Sequence, residues 1–364
     1  MNLSFFGSRT ITVYMARTFL VRSLAVLAAL VIVLMALDLL GESGDILAYK
    51  GNGSPQLWAY VSLRAPQIIA RFLPFAVLLG TLITLATLNQ NSEVIAMKAA
   101  SVSAHQILTP LIIASFGVAA VSFMFNNRIV TRATATLSAW QAVEYGPIPA
   151  DRGIVSNVWL RDGDDLVHAD TVGGRGTATV LRGVKVYDRT GGILKSIVTA
   201  PTARQQGGAW VLNGAQRFDV AAGVRAPAPG YRIAEGVTAD RFTLADVRPD
   251  ERSFTDLRDA IAELAAAGRP TGPLRAGLWH KISGPLSAVL MPLLAGVAAF
   301  GLARSGRLFL RAVLGMALGF AYFVADNFAL AMGNLGAYPP GLAAWAPFVL
   351  FLLIGEAVLI RTEE

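Results

Sequence analysis

Apolar positions in this chain gather into two blocks, with a long polar stretch between them. Before the polar stretch, Phe19 to Leu37, Phe72 to Leu88 and Ile107 to Phe125 are nearly unbroken apolar runs. After it, Ile282 to Ala303, Ala312 to Met332 and Leu342 to Ile360 repeat the pattern. A helix needs about 20 apolar residues to cross the hydrocarbon core of a bilayer. The pattern therefore predicts a polytopic α-helical membrane protein with six transmembrane helices, three on each side of an inserted domain. The boundaries are 1–126 for the first membrane region, 127–278 for the insert and 279–364 for the second membrane region.

Within the insert the hydrophobic pattern changes. Val155 to Leu160, Leu166 to Asp170, Val184 to Tyr187, Ile193 to Ala200 and Trp210 to Leu212 are short apolar or alternating runs. Turn-forming clusters divide them: 161–165, 173–176, 188–192 and 206–208. Short strands at such spacing predict an all-β sandwich, barrel or jelly roll rather than a βαβ fold. The residues from Ser253 to Ala267 read differently. Ser253 with Asp256 resembles a capping box, and Leu257, Ile261 and Leu264 share one helical face. Gly268 and Pro270 stop that helix, which leads the chain back to the membrane. Residues 1–18 read as an amphipathic approach to the bilayer. Gly41 to Pro55 reads as an external loop, and Pro74 as a kink in the second span.

Charge orients these spans. The net charge of +7 raises the possibility of a nucleic-acid binder, but its distribution excludes one. Between Arg128 and Arg275, 19 Lys and Arg are interleaved with 16 Asp and Glu, so the insert carries no basic stripe. Arg9, Arg17 and Arg22 flank the first span, and Arg304, Arg307 and Arg311 lie between the fourth and fifth. Short cytoplasmic loops concentrate Lys and Arg. Both termini are thus expected in the cytoplasm, with the insert outside. The first span has a basic flank like a signal peptide, but it is too long and lacks a small-x-small cleavage site, so it reads as a retained helix. There is no cysteine, and the insert must fold on apolar burial and strand pairing alone.

The chain carries no catalytic signature. There is no G-x-x-x-x-G-K-[ST] to hold nucleotide and no G-x-S-x-G. His105, His168 and His280 lie in three different regions without metal-ligand spacing. Asp162, Asp164 and Asp165 lack the other ligands of a calcium loop and read as a solvated hairpin turn. No metal or cofactor is expected. The informative segment is the loop between spans two and three, Asn91 to Ser103. It is helical by propensity, with Val94, Met97 and Ser101 on one side, Ser92 placed as N-cap and Glu93 favouring the helix dipole. A short helix across a cytoplasmic loop can press into a groove on a separate ATPase, although an ordinary loop helix has the same appearance.

The run from Asn91 to Ser103 resembles the loop of the LptF/LptG lipopolysaccharide export permeases. Phe72 to Gly80, Trp159 to His168, Trp279 to Ser287 and Gly319 to Asn327 resemble, in order, further segments of that family. The likeness covers nearly the whole chain, and the loop and fourth span look nearer to the LptG branch. Two positions depart from the family pattern: Ala100 replaces a usual glycine, and Asp38 stands where basic residues are frequent. The resemblance implies a transport subunit of an ABC-type lipopolysaccharide extractor in a Gram-negative inner membrane, not an enzyme. It implies an LptF-like sister permease and a pair of LptB-like ATPases that bind the ATP. It also implies LptC/LptA-like periplasmic jelly-roll proteins that receive the lipid. Glu93 then maps onto the acidic residue of the coupling helix, with Ser92, Val94 and Met97 beside it. Lys281 maps onto a lysine at the outer end of span four. Arg64, Arg71, Arg128, Arg132 and Lys281 are candidates for lipid phosphates. Asp326, a carboxylate inside span five, either packs against a neighbouring helix or takes part in gating and lipid contact. Two other classes stay open on the residues alone: a self-sufficient secondary transporter and a membrane-anchored β scaffold.

Overall fold

A computed structural model describes residues 9–148, 155–173, 179–189, 193–234, 237, 247–266, 269–301 and 308–363. The basic loop carrying Arg304 and Arg307 lies outside them, as do 1–8, Gly268 and most of the turn clusters expected at 173–176 and 188–192.

Six helices are long and apolar enough to cross a membrane. In chain order the helices are α1 (Arg9–Ala48), α2 (Ser54–Gln90), α3 (Glu93–Ala99), α4 (Ala104–Phe125) and α5 (Thr131–Ala142). After the strands come α6 (Phe254–Ala266), α7 (Gly272–Gly296), α8 (Leu308–Asn334) and α9 (Pro340–Glu363). Two expectations change here. Residues 9–18 are the first turns of α1 itself, not a separate approach helix. The loop expected from Gly41 to Pro55 shrinks to 49–53, because Gly41 and Gly44 lie within α1. Pro66 and Pro74 both fall inside α2, which nevertheless runs unbroken. A π-helical turn, Asn126–Val130, joins α4 to α5, and another, Val297–Gly301, ends α7.

The chain forms two compact units. One comprises Met1–Gly44, Ser54–Ala133 and Arg252–Glu364; the other comprises Asp45–Gly53 and Thr134–Glu251. The division differs from the expected boundaries at 127 and 278, since α6 belongs with the membrane helices. The reason is visible in its contacts. Ser253 caps α6 with Asp256 as the sequence suggests, while Phe254 N–H donates to Asn127 Oδ1 at 2.6 Å. Leu257, Ile261 and Leu264 are buried.

The helical unit is packed through small residues. Lipid tails are as apolar as leucine, so close van der Waals fit rather than water exclusion joins helices within a bilayer. Gly319 sits under Leu78, Gly315 under Leu82, Gly296 under Leu108 and Gly355 under Leu293. The closest approach is that of Gly80 on α2 to Ser23 on α1, where a Cβ on residue 80 would lie 2.7 Å from the Ser23 Cα. The core around Phe19, Leu78, Leu108, Leu111, Leu290 and Leu294 is fully buried.

The second unit carries one antiparallel sheet of eight strands, with neighbours in the order β1-β2-β3-β4-β5-β8 and β6 pairing β4 and β7. The strands are β1 Val155–Asp162, β2 Asp165–Gly173, β3 Val180–Asp188, β4 Ser196–Gln206, β5 Ala209–Asn213, β6 Gln216–Asp219, β7 Val224–Pro227 and β8 Arg232–Ile233. The last three did not stand out in the sequence. Strict alternation would place every second side chain on one face. Here Ala169 and Val172, Val184 and Leu181, Ala200 and Ala203, and Leu212 and Ala215 are all buried, although each pair is three residues apart. The facing therefore inverts along a line across the sheet through Asp170, Gly183, Pro201 and Gly214. Gly183 and Gly214 have φ of +62° and +67°, conformations a β-carbon disfavours. Such kinks bend a sheet so that both halves keep an apolar side inward. At the unit's helical base, Asn52 donates to the Ile46 and Tyr145 carbonyls at 2.8 Å each, and Trp140 Nε1 donates to Gly146 O.

Candidate functional site

The short helix α3 follows directly from α2 through Asn91 and Ser92. Ser92 takes φ +60° and its side chain makes no cap, which corrects its expected role as N-cap. A left-handed residue there turns the chain sharply enough to lay α3 across the end of the bundle. Glu93 is held from two sides: Asn91 Nδ2 donates to Glu93 Oε1 at 3.2 Å, and the Tyr14 hydroxyl lies 3.5 Å from the same oxygen. At the other end, Ser101 at φ +62° reverses the chain, and Ser103 with Gln106 forms a reciprocal capping box that starts α4. The signal for this box in the sequence is Ser103 followed three residues later by Gln106.

Val94 is 6% exposed and joins the bundle's apolar core, with Met97 packed against it. Val94 and Met97 therefore pack against their own protein. The opposite face carries Ser92, Ile95, Ala96 and Ala99, spaced as one helical stripe. Ile95 is 61% exposed. Lys98 sits 5.2 Å above the Phe300 ring in the π-helical end of α7, tying α3 to a second spanning helix. On the same end of the bundle His105 Nε2 meets Glu356 Oε2 at 3.2 Å, joining α4 to α9.

The candidate phosphate ligands do not form one cluster. Arg64 is engaged inside the protein. Its Nε and Nη2 both donate to the Asp38 carboxylate, at 3.0 Å and 2.9 Å, and its Nη1 donates to Gln67 Oε1 at 2.9 Å. Tyr60 completes the knot by donating to Asp38 Oδ2 at 2.7 Å. Asp38 thus binds α1 to α2 through Arg64 and Tyr60. The spacing Tyr60, Arg64, Gln67 on one helical face, with Asp38 at the end of the first apolar run, was the signal available in the sequence. Arg71, two turns beyond Arg64, is exposed, as are Arg128 and Arg132; Lys281 is half-buried.

Asp326 lies between helices. Its Oδ2 is 3.9 Å from His280 Nε2 on α7, with its side chain 14% exposed. Ser283 Oγ lies 3.5 Å from His280 Nδ1. One turn earlier on α8, Tyr322 is buried beside Ser287. Ionisable groups within spans pair with one another or face a cavity, and here the pairing is α7 with α8. Among the described residues no three His, Asp or Glu gather as a metal site.

The chain is similar to proteins of one family along nearly its whole length. The family profile described as lipopolysaccharide export system permease LptF/LptG matches residues 13–361. The lipopolysaccharide export system permease protein LptG of Escherichia coli K12 is 25% identical over 331 residues, which cover 87% of this chain and 89% of that protein. The protein of the same name from Haemophilus influenzae Rd is 24% identical over 324 residues, covering 86% and 89%.

Proposed function

Because the chain belongs to the LptF/LptG family of lipopolysaccharide export permeases, we propose that it is the permease half of an ATP-driven extractor whose energy enters through α3. The carrying observation is the split of α3 into two faces. Val94 and Met97 lock the helix to the bundle, and Ile95, Ala96 and Ala99 leave a small apolar stripe turned outward. The chain has no nucleotide motif of its own, so the work must be delivered mechanically. A stripe with one large anchor suits the groove of a separate ATPase, and Glu93, already oriented by Asn91, supplies a charged hydrogen bond at its rim. The Lys98–Phe300 contact and the seat of Val94 then pass movement of α3 to α7 and α2.

In this reading both termini are cytoplasmic and the β unit is periplasmic. A sister permease completes a central cavity, two ATPase copies bind below, and the β unit hands lipid to a periplasmic bridge of jelly-roll domains. The basic loop at 304–311 supports that orientation. Lack of native cysteine permits a clean topology test. Single cysteines substituted at Ser8 and Ser305 should be shielded from an impermeant thiol reagent added to spheroplasts, and one at Thr190 should react.

Coupling is tested by Ile95→Asp, which should abolish co-purification of the ATPase and lipopolysaccharide release in proteoliposomes while the permease reaches the membrane at normal levels. Glu93→Lys should have the same direction, since it opposes the partner and the helix dipole together. Full ATPase binding and full release in both variants would refute α3 as the coupling element.

A further inference from the structure

The core of the β unit uses one face of β1–β4: Val158, Val167, Ala169, Val184, Val186 and Val198 are all buried to 1% exposure or less. On the near side of the kink, the other face should be polar, as Arg161, Asp170, Lys185 and Thr199 are. Aromatic rings break that rule. Trp159 on β1 pairs in register with His168 on β2, which pairs with Lys185 on β3, and Tyr187 stands two residues along. The Trp159 and Tyr187 rings are nearly parallel, 17° apart, with centroids 5.9 Å from each other. That separation is in the range of an offset-stacked pair. The His168 ring supports Trp159 at 4.4 Å. Trp159 stays 50% exposed even so.

We propose that this outward face of β1–β3 is a saccharide-binding platform, on which Trp159 and Tyr187 stack against a sugar ring of the lipopolysaccharide while Arg161, Asp170 and Lys185 hydrogen-bond its hydroxyls. The proposal rests on the lipopolysaccharide reading above and concerns the carbohydrate part of that substrate. A sugar ring offers a C–H patch on its face and hydroxyls around its rim. The matching surface is a flat aromatic area bordered by both donors and acceptors, which is what this face presents. An acyl chain would need a continuous apolar groove, and here Arg161, Asp170 and Lys185 interrupt the apolar surface made by the rings and by Leu166 and Ile197, the half-buried register partners of Tyr187. A partner strand would add at an open sheet edge, whereas the platform lies on the face of β1 to β3. Asp170 Oδ1 lies 3.6 Å from His168 Nδ1, so the acceptor is placed beside the rings. Aromatic pairs across strands also stabilise sheets, but a purely structural pair gains by being covered, and half of Trp159 is open.

The test uses the full-length protein in detergent with three probes: complete lipopolysaccharide, its oligosaccharide freed of lipid by mild acid, and lipid A without core sugars. The oligosaccharide should bind, and Trp159→Ala should weaken it by about tenfold, the worth of one aromatic stacking contact. Trp159→Phe should recover part of the loss, Lys185→Gln should lower affinity severalfold, and lipid A binding should be unchanged in all three variants. If Trp159→Ala does not fold, the Phe and Gln variants decide the matter. Oligosaccharide that fails to bind, or binds equally to every variant, overturns the platform while leaving transport intact. Failure of both complete lipopolysaccharide and lipid A to bind overturns the transport reading instead.

Discussion

The membrane helices and the β unit both depend on glycine, for opposite reasons. In the helical unit the glycines make room. Gly80 lets the Ser23 backbone of α1 rest on α2, and Gly296, Gly315, Gly319 and Gly355 each accept a leucine from a neighbouring helix. In the sheet, Gly183 and Gly214 matter for their backbone angles, because they turn the strands along the line where the facing inverts. Close approach is the helical unit's scarce resource, since apolarity distinguishes no surface inside a bilayer. Curvature is the sheet's, since a flat eight-stranded meander would expose one apolar face.

The sharpest way to break this contrast is to add one methyl group in each place. At Gly80 the new carbon would meet the Ser23 side chain and also its Cα and backbone nitrogen, 2.7 Å and 2.8 Å away. Backbone cannot move aside as a side chain can, so Gly80→Ala should separate α1 from α2 and Gly80→Val should abolish accumulation of the protein in membranes. At Gly183 the carbon would meet the Asp170 carboxyl, which can swing away, and the Asp170 Cβ at 2.8 Å, which yields only with a small shift of β2, so a packing cost adds to that of a left-handed alanine. The left-handed alanine alone costs about 1–2 kcal/mol. Gly183→Ala should therefore accumulate normally and unfold at a lower temperature. Equal loss in both variants, measured as membrane level and thermal midpoint, would mean that space and backbone angle are not separable in this way.

The same contrast explains what could be read in the sequence. The six spans follow from length and apolarity alone, and the structure places a helix over each. The first five strands were visible in their alternation. The inversion at Asp170, Gly183, Pro201 and Gly214 was not, because it depends on four strands lying in register, and register is a property of pairs. β6, β7 and β8 are too short to show a period. At α3 the segment and its helicity were legible, but which face it turned inward was not. Val94 and Ile95 are both apolar neighbours, and only the angle set by a left-handed Ser92 decides between them. For Arg64 the cation was legible in the sequence, but its ion pair with Asp38 was not. A cation at a span end has the same appearance whether it awaits a phosphate or is already spent on Asp38.

A second, intermediate effect bears on that arginine. If Arg64 tethers α1 to α2, then Asp38→Asn and Arg64→Gln should each destabilise the protein by about 2 kcal/mol, the scale of a charge-assisted hydrogen bond left unmade. The double variant should lose less than the sum, since neither charge is then stranded. Lipid-stimulated ATP hydrolysis should track stability in all three. By contrast, Arg71→Gln, on an exposed cation, should reduce lipid-stimulated hydrolysis without touching stability. An Arg64→Gln variant of full stability that has lost only lipid stimulation would mark Arg64 as a phosphate ligand.

The smallest expected effect lies in the β unit and separates its treatment of charge from that of the helices. Within the bundle, three ion pairs join separate helices: Asp38 with Arg64, His105 with Glu356, His280 with Asp326. His168 in the sheet also has a carboxylate beside it, Asp170 at 3.6 Å, but burial outweighs it and lowers the His168 pKa below the ordinary histidine value, with neighbouring Lys185 adding to the depression. At neutral pH the imidazole is mostly uncharged in the unfolded chain as well as in the fold, so its depressed pKa costs little. As pH falls through about 6.5, the ordinary value, the unfolded chain takes up a proton that the folded state resists. Stability therefore declines with acidification in that window and levels off once the folded imidazole is protonated too. Amide exchange of β2 and β3 reads this locally, apart from His105 and His280 in the membrane helices. Protection there should weaken between neutral and mildly acidic pH in the native protein. His168→Gln, which cannot be protonated, should flatten the profile. An unchanged profile in that variant would mean that another group in the sheet carries the pH response.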